Sequence, residues 1–381
     1  SEFGRWDDFY AFVNTPLEKE MFAFLKHQLA LDVQCQTPSL LAKWLKSENT
    51  SSRESRELAD RTRKAFGMTH KQYRKTLSIL RERIKIVETL MSQNRWDEIV
   101  FDKLPSKAGL KYKNAFARRD IIKAKYETFA KDKTTKVNAK TLYPYECVAE
   151  AFKTERYSIN NTERLMVNKY WDNLKDYYNG RVENGLCIVD VSGSMSGFPM
   201  EAAISMGTYI AERGHGPFAN HFITFSRKPQ LVEITGKDIV NKFWNMREAD
   251  WGGNTDIQKV FDLMLNTAKK NNISQADMPE RLYIFSDMEF DSGFGMYNAT
   301  EGEVNTLFEN IAIQWKKEGY ELPHVIFWNL DCRQDNIPAL DGRFSYVSGQ
   351  SMSTIEAILS GKTGFDLMME VLMSKRYEAI V

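Results

Sequence analysis

The sequence predicts two structural classes in one chain: an all-helical N-terminal domain over residues 1–180, then a doubly wound, mostly parallel-sheet α/β domain over 181–381. Three observations carry this. Apolar residues of the first half recur at helical spacing. The second half alternates short β-branched runs with helical patterns, the signature of strand–helix–strand units. Charge divides the same way: residues 1–180 hold 34 Lys and Arg against 24 Asp and Glu, whereas residues 181–381 hold 18 against 27, an asymmetry hidden in a net charge of +1. With 43% hydrophobic and 27% charged residues the composition is globular, which excludes wholesale disorder. No apolar run approaches the ~20 residues of a membrane span, and no charged-then-apolar secretory signal opens the sequence. Cys35, Cys147, Cys187 and Cys332 lie far apart, with no C-x-x-C pair and five histidines in all. That argues against a zinc site or a disulfide framework and for a reducing, cytoplasmic or otherwise intracellular setting.

Taken in order, the first helix is expected from about Leu17 to Leu31, with Pro16 in the first turn. Ser47 to Ser55 is serine-rich and reads as a surface loop or helix entry. Tyr73, Leu77, Leu80, Ile84, Val87 and Met91 then form one apolar stripe, opposite a basic face of Arg74, Lys75, Arg81, Arg83 and Lys85. A further helix carries Met166, Tyr170, Leu174 and Tyr177 and is expected to stop at Asn179-Gly180.

The second half opens with Leu186–Val191, a short apolar run between glycines that suits a strand buried on both faces. Strands are also expected at His221–Phe225, Leu282–Phe285, His324–Leu330 and Phe344–Val347. Helices are expected at Met200–Arg213, Asp256–Lys270, Val304–Lys317 and Met352–Leu359. In such a sheet the ligand site lies beyond the carboxyl ends of the strands, so polar residues there are the candidates.

Directly after the first strand comes Asp190-Val191-Ser192-Gly193-Ser194, one carboxylate and two hydroxyls in alternation. Oxygen donors alone suit a hard cation, Mg²⁺ or else Mn²⁺ or Ca²⁺. Thr255 opens a later helix, and Ser286-Asp287 closes the Leu282–Phe285 strand. The bland alternative is that Ser192 and Ser194 cap a helix and Asp190 satisfies a turn. The order Asp-x-Ser-x-Ser, Thr, Asp resembles the metal-ion-dependent adhesion site of von Willebrand factor A domains. By that resemblance the metal ligands are Asp190, Ser192, Ser194, Thr255 and Asp287, with a coordination position left open for an acidic protein ligand.

The chain as a whole resembles a TROVE/Ro-like family with no assigned activity, found in plants, fungi, bacteria and large DNA viruses. Its members carry a basic helical region before a C-terminal von Willebrand A-like domain. The stretches that carry the likeness are Ala42-Lys43-Trp44-Leu45, Leu104-Pro105-Ser106-Lys107-Ala108, Leu142-Tyr143-Pro144-Tyr145-Glu146, DVSGSMSGFPM at 190–200, DWGGNTDIQKVFDLML at 250–265, FSDMEFD at 285–291 and VIFWNL at 325–330. Kinship to Ro is an analogy of fold, which leaves function to be argued from the site.

Residues 50–140 hold 24 Lys and Arg against 11 Asp and Glu. A surplus of this kind attracts phosphates regardless of base sequence, so single-stranded or structured RNA is an expected partner, with Arg74, Lys75, Arg81, Arg83 and Lys85 as its contacts. The rival reading docks the basic half on the chain's own acidic half. The function expected is therefore non-enzymatic: cation-dependent ligand binding by the C-terminal domain, with RNA binding by the helices. The alternatives are a pure protein-interaction module and a metal-dependent phosphate-handling enzyme.

Overall fold

The computed structural model describes residues 5–139, 141–154, 161–226, 228–249, 257–286, 301–330, 344–349, 351–362 and 364–374. By packing, the chain divides into two compact units: Ser1–Val100 with Met373–Val381, and Phe101–Leu372.

Unit 1 is helical. It contains α1 (Glu18–Gln34), α2 (Leu41–Trp44), α3 (Arg53–Phe66), α4 (His70–Ile84) and α5 (Val87–Ser92). Leu25, Leu29, Leu41, Ala59, Tyr73 and Leu80 lie at the centre of its core. The serine-rich stretch is a helix entry: Ser52 Oγ accepts from Ser55 N at 3.2 Å and starts α3. Thr69 and Gln72 cap α4 reciprocally. The single stripe expected from Tyr73 to Met91 is two helices. Lys85 takes the left-handed conformation at φ 51°, and α5 then buries Val87 and Leu90 while Met91 is half-buried. One left-handed residue turns the chain without disturbing the apolar spacing, so periodicity alone reads straight through it.

Unit 2 joins four helices to a sheet. The helices are α6 (Ser106–Arg118), α7 (Asp120–Lys131), α8 (Pro144–Ala151) and α9 (Thr162–Asp172). The helix expected to reach Asn179-Gly180 ends at Asp172. Leu174 and Tyr177 are buried beyond it, and Asn179 (φ 53°) and Gly180 (φ 81°) form a turn into the sheet instead. There follow β1 (Gly185–Val189), α10 (Phe198–Arg213), β2 (His221–Thr224), β3 (Leu231–Glu233), α11 (Ile239–Arg247), α12 (Ile257–Lys270), β4 (Arg281–Ser286), α13 (Glu301–Lys317), β5 (His324–Asn329), β6 (Phe344–Ser348), α14 (Met352–Ser360) and α15 (Gly364–Leu372). The sheet among these residues runs β3-β2-β1-β4-β5-β6 and is parallel except for β3, a three-residue antiparallel edge too short to show a pattern in sequence.

Leu186, Ile188, Leu282, Ile284, Val325 and Phe327 face a core shared with Val260, Phe261, Met264 and Trp315 of α12 and α13. On the other face α10 lies so close to β1 that a Cβ on Gly207 would sit 2.6 Å from Val189 Cγ2. Helices thus cover both faces, as a parallel sheet requires. Residues 101–180 are tied to the α/β part by ion pairs. Arg164, with no exposed surface, meets both oxygens of Asp238 at 2.6 Å, and Lys175 meets Glu356 at 2.6 Å.

Candidate metal and ligand site

The chain leaves β1 for one side of the sheet and later returns on the other, so the topological switch point lies between β1 and β4. In doubly wound sheets ligands bind at that point, beyond the carboxyl ends of the strands. Asp190 sits there, 2% exposed, its N–H donating to Phe285 O at 3.0 Å and extending the ladder by one residue. Its Oδ2 accepts from Ser286 Oγ at 2.9 Å, at the end of β4, and its Oδ1 accepts from Ser192 N at 2.8 Å. The carboxylate is therefore held both from the end of β4 and from the loop that follows β1.

Ser192 Oγ and Ser194 Oγ lie 3.0 Å apart beside it. Ser192 precedes a short 3₁₀ turn, Gly193–Met195, but its side chain makes no capping bond. These hydroxyls cap neither this turn nor α10, whereas Asp190, whose Oδ1 accepts from the N–H two residues on, does close a turn as the bland alternative expects. Met195 is fully buried and anchors the turn, while Ser194 is exposed. Gly197, at φ 87°, swings the chain into α10, a conformation that favours glycine. The structure thus brings together Asp190, Ser192 and Ser194; Thr255 and Asp287 lie outside the described residues. One carboxylate and two hydroxyls in a row are hard-cation donors, and they fit the cation expected from the sequence.

Sequence reasoning placed Ser286 at the close of its strand but missed Ser226 and Asn329 on this edge. Besides Asp190, the buried polar residues Ser226, Ser286 and Asn329 stand at the carboxyl ends of β2, β4 and β5, with Ser286 in register with Asn329. Asn329 Nδ2 donates to Tyr346 OH at 3.1 Å. The signal was present as apolar runs that each close on a polar residue: Phe225-Ser226, Phe285-Ser286 and Trp328-Asn329. Near the loop, the rings of Tyr143, Tyr145 and Phe198 follow one another at 5.4 and 4.7 Å.

The basic residues of α4 are mostly committed within unit 1. Arg81 donates to Ala42 O, Leu45 O and Ser47 Oγ at 2.8–2.9 Å, and burial lowers its pKa. Arg83 donates to Val33 O at 2.9 Å, Arg74 lies 3.8 Å from Glu48, and Lys85 meets Glu98 at 3.2 Å. Lys75 alone of the five is exposed with no partner among the described residues. Reversing the charge at Arg81 is therefore expected to destabilise unit 1, because a glutamate would desert its three acceptors.

Glu48, Asp60 and His70 form the one cluster of metal-ligand type among the described residues. Arg63 bridges it, 3.2 Å from Glu48 and 2.5 Å from Asp60, and Lys64 lies 2.7 Å from Asp60. These cations neutralise the carboxylates, so the cluster is an ion-pair network.

A family model described as a domain of unknown function, DUF7788, matches residues 184–379. The chain belongs to that family. A second, described as a domain of unknown function, DUF2828, matches residues 27–178, so the two meet near residue 180 while packing divides the chain at Val100. "Uncharacterized protein L728" of Acanthamoeba polyphaga mimivirus is 34% identical over 344 residues, which cover 85% of this chain. The chain spans 58% of the length of that relative. Among solved structures, the crystal structure of the Deinococcus radiodurans Ro (RSR) protein is similar at TM-score 0.47 and 13% identity, over 94% of this chain and 78% of that one. No helix among the described residues is long and apolar enough to cross a membrane.

Proposed function

We propose that unit 2 is a von Willebrand A-like binding module whose ligand affinity depends on a divalent cation. The observation that carries this is the Asp190 carboxylate at the switch point, fixed by Ser286 and Ser192 N beside the paired hydroxyls of Ser192 and Ser194. Asp190, Ser192 and Ser194 would hold Mg²⁺, Mn²⁺ or Ca²⁺, with Thr255 and Asp287 as further donors by motif. A bound cation of this kind supplies a positive charge with a free position for an anionic oxygen, such as a carboxylate of an acidic protein ligand. Calorimetric titration with Mg²⁺ and Mn²⁺ tests it: Asp190→Ala should abolish binding that the parent chain shows. Equal affinities in the two would end the reading, and turnover of phosphoesters with Mg²⁺ would replace it by an enzymatic one.

A second reading, RNA binding, is favoured by one observation. Lys103, Lys111, Lys123, Lys131 and Lys136, around α6 and α7, are exposed without a carboxylate partner among the described residues. On this reading the phosphate contacts lie there and at Lys75, and the arginines of α4 contribute little. Affinity for a labelled single strand should then fall with a slope of about −0.7 in log–log salt per phosphate contact. A flat salt response would exclude it.

A further inference from the structure

Helix α1 is apolar on two faces. Met21, Phe22, Leu25 and Leu29 turn into the core of unit 1. Leu17, at the helix N-cap, and Phe24 and Leu31 within it remain 47, 48 and 48% exposed. These three are spaced by seven residues, two helical turns less about 20°, so they form a nearly straight seam of roughly 21 Å at 1.5 Å per residue. Single exposed leucines are ordinary on a protein surface; a row at helical repeat is the mark of a contact. The central residue is also aromatic and held, since the Phe24 ring stacks on Phe9 at 5.3 Å and on Trp6 at 6.2 Å. An aromatic anchor at the centre of an apolar patch is the usual form of an interface hot spot.

The seam is symmetric about Phe24. A two-fold axis through that residue lays a second α1 antiparallel on the first, with Phe24 against Phe24 and Leu17 against the second copy's Leu31. Glu20 and His27 flank the seam on one side, both exposed and without a partner among the described residues. The same axis sets each Glu20 carboxylate opposite the other copy's His27, an acceptor facing a ring N–H, and does so twice. Apolar and polar groups thus match themselves under one operation, as a closed two-fold contact requires.

We propose that the exposed face of α1 is a homodimer interface, with a second copy of this chain as its occupant. A single helix pair of this length falls short of the ~1,200–2,000 Å² of a standard interface, so dissociation in the micromolar range is expected. Sedimentation equilibrium of the full chain should show a concentration-dependent monomer–dimer equilibrium. Leu31→Glu should weaken it at least about tenfold, the size of a lost hot-spot residue, with an unchanged circular dichroism spectrum. Cysteine cross-linking reads the axis, in a background with Cys35→Ser and Cys332→Ser. Phe24→Cys should link to itself. Leu17→Cys and Leu31→Cys should each fail alone and link when mixed. Should Phe24→Cys disturb the ring stack, the mixed pair still reports the geometry. A chain that stays monomeric at all concentrations, or single variants at 17 and 31 that each self-link, would overturn the proposal.

Discussion

The two units handle their basic residues differently. In unit 1 three arginines reach backbone carbonyls, Arg81 those of Ala42 and Leu45, Arg83 that of Val33 and Arg56 those of Thr50 and Ser51, whereas Arg53, Arg61, Arg63 and Arg95 pair with carboxylates of the same unit. Short helices joined by loops leave many carbonyls without a helical partner, and a planar fork of five donors can satisfy several at once. In unit 2 several cations of residues 101–180 meet carboxylates: Arg164 that of Asp238 and Lys175 that of Glu356 on the α/β part, and the buried Lys113 that of Glu150 on α8. Arg164 and Lys175 thus join residues 101–180 to acids of the α/β part, while the Lys113 pair stays within 101–180. A count of Lys and Arg measures neither arrangement. The cations left to solvent are chiefly lysines, and those are the ones available to a polyanion.

The sharpest way to break this contrast is at Arg164. Asp238→Asn removes the carboxylate that meets a fully buried guanidinium, and Arg164→Met removes the guanidinium that meets the carboxylate, so each should cost about 3–5 kcal/mol in urea denaturation. Acid should act on the same pair. Burial pushes the Asp238 carboxyl up, but hydrogen bonds from Arg164, Asn241 N and Asn168 outweigh it and hold the group below its ordinary 3.8. A carboxyl depressed in the folded state stabilises above 3.8 and loses that contribution as pH falls below 3.8 towards the folded value. The parent chain should therefore lose stability below about pH 4 more steeply than Asp238→Asn; parallel curves would show that the pair does not couple folding to protons.

Arg81→Met comes next. Its three acceptors are two carbonyls and a hydroxyl, so the loss should be about 2–3 kcal/mol and should not change between pH 3 and pH 7. A loss below about 0.5 kcal/mol, the range of neutral surface changes, would return Arg81 to the free cations. The smallest effect is expected at Lys75→Glu: stability within about 0.5 kcal/mol of the parent, with any RNA affinity reduced for all sequences alike. Destabilisation there would mean that even this lysine belongs to the fold.

Much of unit 2 was legible in the amino-acid order. Parallel strands buried on both faces must be apolar throughout, so β1, β2, β4 and β5 declare themselves, and Asp190, Ser192 and Ser194 follow where the first of these runs closes on polar residues. Sequence also determined the caps, because Ser52, Thr69 and Gln72 act within their own turn. What depends on residues distant along the chain was not legible. The break at Lys85, the end of α9 at Asp172 and the antiparallel β3 each keep the local pattern intact while changing the path. The partner of Asp190 is Ser286, ninety-six residues away, and the partners of Arg81 lie up to thirty-nine residues back. Spacing decides which face a side chain takes; only the packed chain decides which acceptor it meets there, because a hydrogen bond depends on position in space and the sequence records only order.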